Sequence, residues 1–154
     1  MAAERSAIAA VAAEDSQHAI AADADCGSDI TLLSASRPEV PTARQIRARA
    51  LVAGLAPAQI AAAIVSECGT SKIRAFRLAL GIALADVVAQ VRARYEADGR
   101  HVPRFSETLQ SAYESGQKRP GPEYLHYLCA TYQTDPADLG FVGRCLCGRS
   151  HRPA

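Results

Sequence analysis

From residue 42 onward the large apolar side chains recur at helical spacing and are separated by short turn signals. Leu84, Val87, Val88, Val91 and Tyr95 fall at i, i+3, i+4, i+7 and i+11, which is one face of an α-helix. That spacing predicts a helix over 84–97, stopped by Asp98-Gly99. Three helices are expected before it. Thr42 can cap one over about 43–53, with Ile46, Ala50 and Ala53 on one face and Gly54 at its end. Pro57 suits the first position of a second, over about 57–67, which aligns Ile60, Ile64 and Cys68 and ends at Gly69. Thr70 or Ser71 caps a third, in which Ile73, Phe76 and Leu80 share a stripe, Lys72, Arg74 and Arg77 fall largely off it, and Gly81 closes the helix.

After the fourth helix, Pro103 is expected to open a fifth, with Phe105, Leu109, Ala112 and Tyr113 inward and Gly116 at its end. Pro122 opens a sixth, with Leu125, Leu128, Cys129 and Tyr132 inward. Asp135-Pro136 caps a short last helix, Ala137–Leu139, with Asp138 as its capping-box acid. No segment sustains the period-two alternation of a strand, so the expected fold class is all-α. Residues 1–40 differ. They are rich in Ala, Ser and Asp, and Ile8, Val11 and Ile20 bury too little surface to offset the entropy of ordering. They are expected to form a disordered acidic tail.

Composition sharpens this picture. Apolar residues make up 49% of the chain, but much of that is alanine, Trp is absent and aromatics are 5%. Such a core calls for small-residue helical packing. The formal net charge of +1 conceals a split. Residues 1–40 carry seven acids against two bases, net −5, whereas residues 41–154 carry fifteen bases against nine acids, net +6. This asymmetry suggests a polyanion-binding body with an acidic tail. Arginine outnumbers lysine fifteen to two, which reads as coding bias.

No apolar run reaches eighteen residues, and no basic region followed by an apolar stretch marks a secretory signal. Five cysteines, an odd count without a signal, point to a reducing, cytoplasmic setting. No enzyme is expected. There is no Gly-rich phosphate loop, no H-E-x-x-H, no G-x-S-x-G and no H-x-E with P-C-x-x-C. His18, His101, His126 and His151 lack carboxylates at the spacing of a base and its orienting partner.

A small bundle has little room for a deep pocket, but it can present a helix to the major groove of DNA. The blocks IRAFRLALGIALADVV (73–88), LQSAYESGQKRPGPEYLHYLC (109–129) and TDPADLGF (134–141) resemble the Cro/repressor-like, XRE-type helix-turn-helix family over residues 71–141. The resemblance implies a compact five-helix bundle. Its recognition helix lies before Tyr113-Glu114-Ser115-Gly116, and that element leads into the next helix. It also implies a nucleoid-associated transcriptional regulator that binds double-stranded DNA, as a homodimer because one helix reads too few base pairs.

Lys118 and Arg119 follow the recognition helix on a loop where they can reach phosphates, and Arg100 and Arg104 lie at its start. The groove-facing set falls among Ser106, Glu107, Thr108, Gln110, Ser111 and Ala112. Gln can read adenine and Glu can accept from cytosine, although Glu107 would also repel phosphate. Three departures from the family stand out: Ala83 and Leu84 where Ser/Thr and Gln are usual, a longer loop over Glu96–Arg104, and Gln110 where an apolar residue is usual. Leu109 takes that apolar slot if the register shifts by one.

Residues 41–69 are expected to be two bracing helices or a dimer seam, although Leu51–Arg77 also scans as a second, overlapping helix-turn-helix. The acidic tail is either a tolerated extension or an arm that competes with DNA for the basic body. The alternative function is a protein-binding adaptor that keeps the fold without groove contacts. An exposed apolar patch at Tyr124 and Tyr127 would favour it, and a basic face joining Arg100, Arg104, Lys118 and Arg119 would favour DNA.

The C-terminal residues 142–154 hold Cys145-Leu146-Cys147-Gly148-Arg149-Ser150-His151, three soft ligands of the kind zinc takes. A fourth can come from His126 or Cys129, one turn apart on the preceding helix. The expected set is Cys145, Cys147, His151 and Cys129, although Cys129 also lies on an apolar stripe, where a plain core residue is the more usual reading. Cys68 is expected in the core and Cys26 is incidental.

Overall fold

The computed structural model describes residues 41–153, and within them the secondary structure is wholly helical. The expectations for the acidic tail, including Cys26 and His18, lie outside the described residues. Six helices follow in order: α1 (Ala43–Val52), α2 (Pro57–Cys68), α3 (Lys72–Leu80), α4 (Leu84–Ala97), α5 (Glu107–Glu114) and α6 (Pro122–Tyr132).

Local chemistry sets these boundaries. The Thr42 hydroxyl accepts from the Gln45 amide at 3.3 Å, and Gln45 Oε1 accepts from the Thr42 amide at 2.7 Å, a reciprocal cap for α1. Pro57 opens α2, and the Gln59 side chain reaches back to the Ala56 amide. Ser71, not Thr70, caps α3, accepting from the Arg74 amide. α3 ends at Gly81 with φ +71°, where the Arg47 side chain of α1 donates to the Ala79 carbonyl at 3.0 Å. A Cβ at Gly81 would meet that guanidinium at 2.5 Å, so glycine serves both the turn and the approach. Ala83 leaves α4 without a side-chain N-cap, and Asp86 accepts from the Ala83 amide instead.

Two expected helices differ. α5 begins at Glu107, capped by Ser106, rather than at Pro103. A serine hydroxyl that can accept from the Leu109 amide outcompetes a proline that only fixes φ. Phe105 consequently lies on the loop, yet it is buried against Tyr124 with ring centroids 4.5 Å apart. Residues 137–139 form no helix. Consecutive i→i+3 bonds, from Asp138 to Asp135, Leu139 to Pro136 and Gly140 to Ala137, make a chain of turns there. Ala53, just past the end of α1, and Cys68, the last residue of α2, are both exposed, so Cys68 is not in the core.

α2 packs along α3, α3 also meets α5 and α6, and α4 lies on α5 and α6. Ile60 and Ile64 of α2 share one apolar cluster with Phe76, Val87, Val91, Leu128 and Tyr132. The eight aromatic residues all fall within 76–141. Phe76 stacks on Tyr132, and Tyr95 packs on Tyr127 at 3.9 Å.

Candidate functional site

α5 has two faces of different chemistry. Gln110, expected among the groove-facing residues, is 0% exposed. Gln110 rather than half-buried Leu109 is the more deeply inward of the two. Its amide nitrogen donates to Glu114 Oε1 at 3.0 Å and to the Tyr132 hydroxyl at 3.2 Å, and its carbonyl accepts from the Tyr124 hydroxyl at 2.8 Å. A glutamine so engaged cannot reach a base edge. Glu114 in turn takes a bidentate ion pair from Arg77 of α3, at 2.8 and 2.9 Å. The Glu114 hydrogen bond outweighs burial and raises the Arg77 pKa. Burial pushes the Tyr124 and Tyr132 hydroxyls well above the usual tyrosine range, so both stay protonated, Tyr124 donating to Gln110 and Tyr132 accepting from it. No buried side-chain N or O among the described residues lacks a partner.

The outer face carries Glu107, Thr108, Ser111 and Ser115, all exposed, with Ala112 half-buried beside them. Ser106 is exposed, but its hydroxyl is committed to the helix cap. Arg104, on the loop before α5, and Lys118 and Arg119, on the loop after it, are exposed and form no ion pair among the described residues. Arg119 lies over the Phe141 ring at 5.5 Å. Arg100 differs, because it is paired with Glu123 of α6. Tyr124 and Tyr127 are buried and form no exposed patch. Tyr127 instead donates its hydroxyl to Asp98 at 2.9 Å.

A second cluster lies where the C-terminal segment crosses α6. The ligand atoms of His126, Cys145, Cys147 and His151 all lie within 4.8 Å of one another, and the four can hold a metal ion. Cys145 Sγ stands 3.1 Å from both His126 Nδ1 and His151 Nε2, and Cys147 Sγ is 3.3 Å from His151 Nε2. The fourth member is thus His126 and not Cys129. Cys129 points into the core at 0% exposure, and burial pushes its thiol up to about 12. Its place on the Leu125, Leu128 and Tyr132 stripe was the signal for this, whereas His126 sits half-buried at the edge of that stripe.

The tail geometry is supported from outside the cluster. Gly148 with φ +71° closes a turn onto the Cys145 carbonyl, and the Arg149 amide points at Cys147 Sγ, 3.4 Å away. Asp135 accepts from the His151 amide at 3.1 Å and from the Ser150 hydroxyl at 2.9 Å. Burial, with His126 and Arg94 nearby, lowers the His151 pKa and favours its neutral, ligating form. The roles of Asp135, Ser150, Arg77 and Glu114 carried no signal in the sequence, because each depends on a neighbour far away along the chain.

No known family, curated protein or solved structure matches this chain.

Proposed function

We propose that this protein is a sequence-specific, double-stranded-DNA-binding regulator of the Cro/repressor-like helix-turn-helix type, with α5 as the helix that enters the major groove. The observation that carries the reading is the division of α5. Its outer face of short polar side chains, Thr108 and Ser111 foremost, is flanked by the exposed cations Arg104, Lys118 and Arg119. Its inner face is bolted to α3 and α6 through Glu114 and Gln110. Cations at both ends of a rigid helix suit phosphates on either side of a groove, and the short side chains between them allow close approach to base edges. The base-reading set is then Thr108, Ser111 and Glu107, without Gln110. Arg100 contributes less, since Glu123 already neutralises it.

A homodimer is part of the proposal, because one helix reads too few base pairs for useful discrimination. Leu51, Val52 and Leu55 are exposed apolar side chains on the α1 end of the segment read as a seam, and they support a protein contact there. The adaptor alternative loses one support, since Tyr124 and Tyr127 are covered. We further take the ion suited to the Cys/His cluster to be zinc, on the softness of its two thiols and two imidazoles.

The test is retention of sheared genomic DNA from the protein's own source at near-physiological salt, followed by sequencing against a size-matched random pool. Enrichment of loci that share an inverted repeat is the expected result. Retention without enrichment would leave only electrostatic affinity, and no retention would favour the adaptor.

A further inference from the structure

We propose that His126, Cys145, Cys147 and His151 form a closed, four-coordinate zinc centre that fastens the C-terminal segment 143–153 across α6. The inference rests on zinc as the ion, and it adds what the site does.

Three observations carry it. The first is geometry. A tetrahedral ion with Zn–S near 2.3 Å and Zn–N near 2.0–2.1 Å holds its ligand atoms roughly 3.3–3.8 Å apart. Three of the pairs here are 3.1, 3.1 and 3.3 Å, and no pair exceeds 4.8 Å. The close pairs need to open by a few tenths of an ångström and the wider ones to close by up to about 1 Å to reach that size. The second is donor chemistry. Two thiolates neutralise a divalent zinc ion, which matters because Cys145 is buried. The nearest carboxylate of the supporting shell, Asp135, is occupied by the His151 amide, the Ser150 hydroxyl and Arg152, so no oxygen donor competes for the ion. That set disfavours magnesium or calcium. Four protein donors also leave no open position for water, which marks a structural and not a catalytic centre.

The third observation concerns what otherwise holds the segment. Its large apolar residue Leu146 and Val142 just before it are exposed, and Cys145 is its only buried side chain among the described residues. It has no helix or strand of its own. Its remaining ties are polar contacts near the surface, chiefly Arg152 with Asp135 and Asp138. Such contacts hold a chain weakly. A metal that joins three tail residues to one residue of α6 supplies the missing fastening, since binding and local folding become one event.

The experiment uses the full chain, purified without chelator. Elemental analysis is expected to find about one zinc ion per chain, as a four-ligand structural site requires. Cobalt substitution should give the intense visible bands of a tetrahedral thiolate-imidazole site. Cys145→Ser and His126→Ala should lose the metal, while Cys129→Val keeps it. Because His126→Ala can also loosen α6, His126→Cys serves as the rescue, and it should restore binding with a cobalt spectrum shifted toward three thiolates.

Trypsin tests the fastening. Cleavage after Arg144 and Arg149 should speed up about tenfold or more on chelation, in step with the open population, and slow again when zinc is returned. Absence of zinc and of cobalt bands would overturn the zinc reading itself. Full metal content with cleavage indifferent to chelator would leave zinc in place and overturn the fastening. Metal loss in a folded Cys129→Val, with retention in His126→Ala, would overturn His126 as the fourth ligand.

Discussion

Gln110 shows how much one side chain can decide. A polar residue at a buried helical position is tolerated only if each of its groups is paired, and here both ends of its amide are. Its neighbour Glu114 is more exacting, because it is a buried carboxylate answered by Arg77. Removing one partner leaves the other charge uncompensated. Arg77→Met or Glu114→Leu alone should therefore cost about 3 kcal/mol or more in chemical denaturation, while the pair of changes should cost far less than the sum. Gln133 offers the opposite sign. It ends α6 at φ +52°, the left-handed region, with a side chain exposed to solvent. Gln133→Gly should raise stability by about 0.5–1 kcal/mol by relieving that conformation, read as an increase in the urea midpoint with an unchanged slope.

Sequence periodicity located most elements to within a residue or two, because caps and glycine stops are local signals. Ser71, Pro57, Gly69 and Gly81 stand where such residues belong. The start of α5 differs from the expectation because Pro103 and Ser106 are both start signals, and the Ser106 cap wins while Phe105 between them is buried on the loop. The departure at Ala83 was legible, and its consequence is testable. Its backbone already has cap geometry, φ −75° and ψ 161°, with no side-chain oxygen to use it. Ala83→Ser should stabilise α4 by about 1 kcal/mol, seen as a higher thermal midpoint. At the loop after α5, Lys118→Ala and Arg119→Ala should weaken binding to all DNA sequences alike. Each should lower the slope of log affinity against log salt by roughly one. Thr108→Ala and Ser111→Ala should instead alter preference at particular base pairs, read by competition among operator variants. If both classes of variant behave alike, α5 is not the reading helix.

Across the whole molecule, residues read separately as bracing helices and as a helix-turn-helix unit contribute to one core. Ile64 of α2 is fully buried in the cluster that contains Phe76 and Leu128, and Arg47 of α1 closes the end of α3. Ile64→Ala should therefore cost about 2–5 kcal/mol and lower DNA affinity only through the folded fraction, which denaturation followed by tryptophan-free circular dichroism separates from a groove effect. The site at the tail was half legible. Three members of its cluster lie close together in sequence, but the choice of His126 over Cys129 depends on which side of α6 faces the core, and the stripe through Leu128 and Tyr132 is what sets it.

The network through Arg77, Glu114 and Gln110 also bears on how this chain can drift through sequence space. Exchange of Arg77 or Glu114 strands a charge, and exchange of Gln110 leaves the buried Tyr124 hydroxyl without its acceptor, so the single-step intermediates fall in a valley of low stability. An apolar alternative at these three positions lies on the far side of that valley. Among descendants of this sequence the three residues should therefore be inherited as a block, or be replaced together, while exposed Thr108 and Ser111 on the opposite face of the same helix are free to vary one at a time.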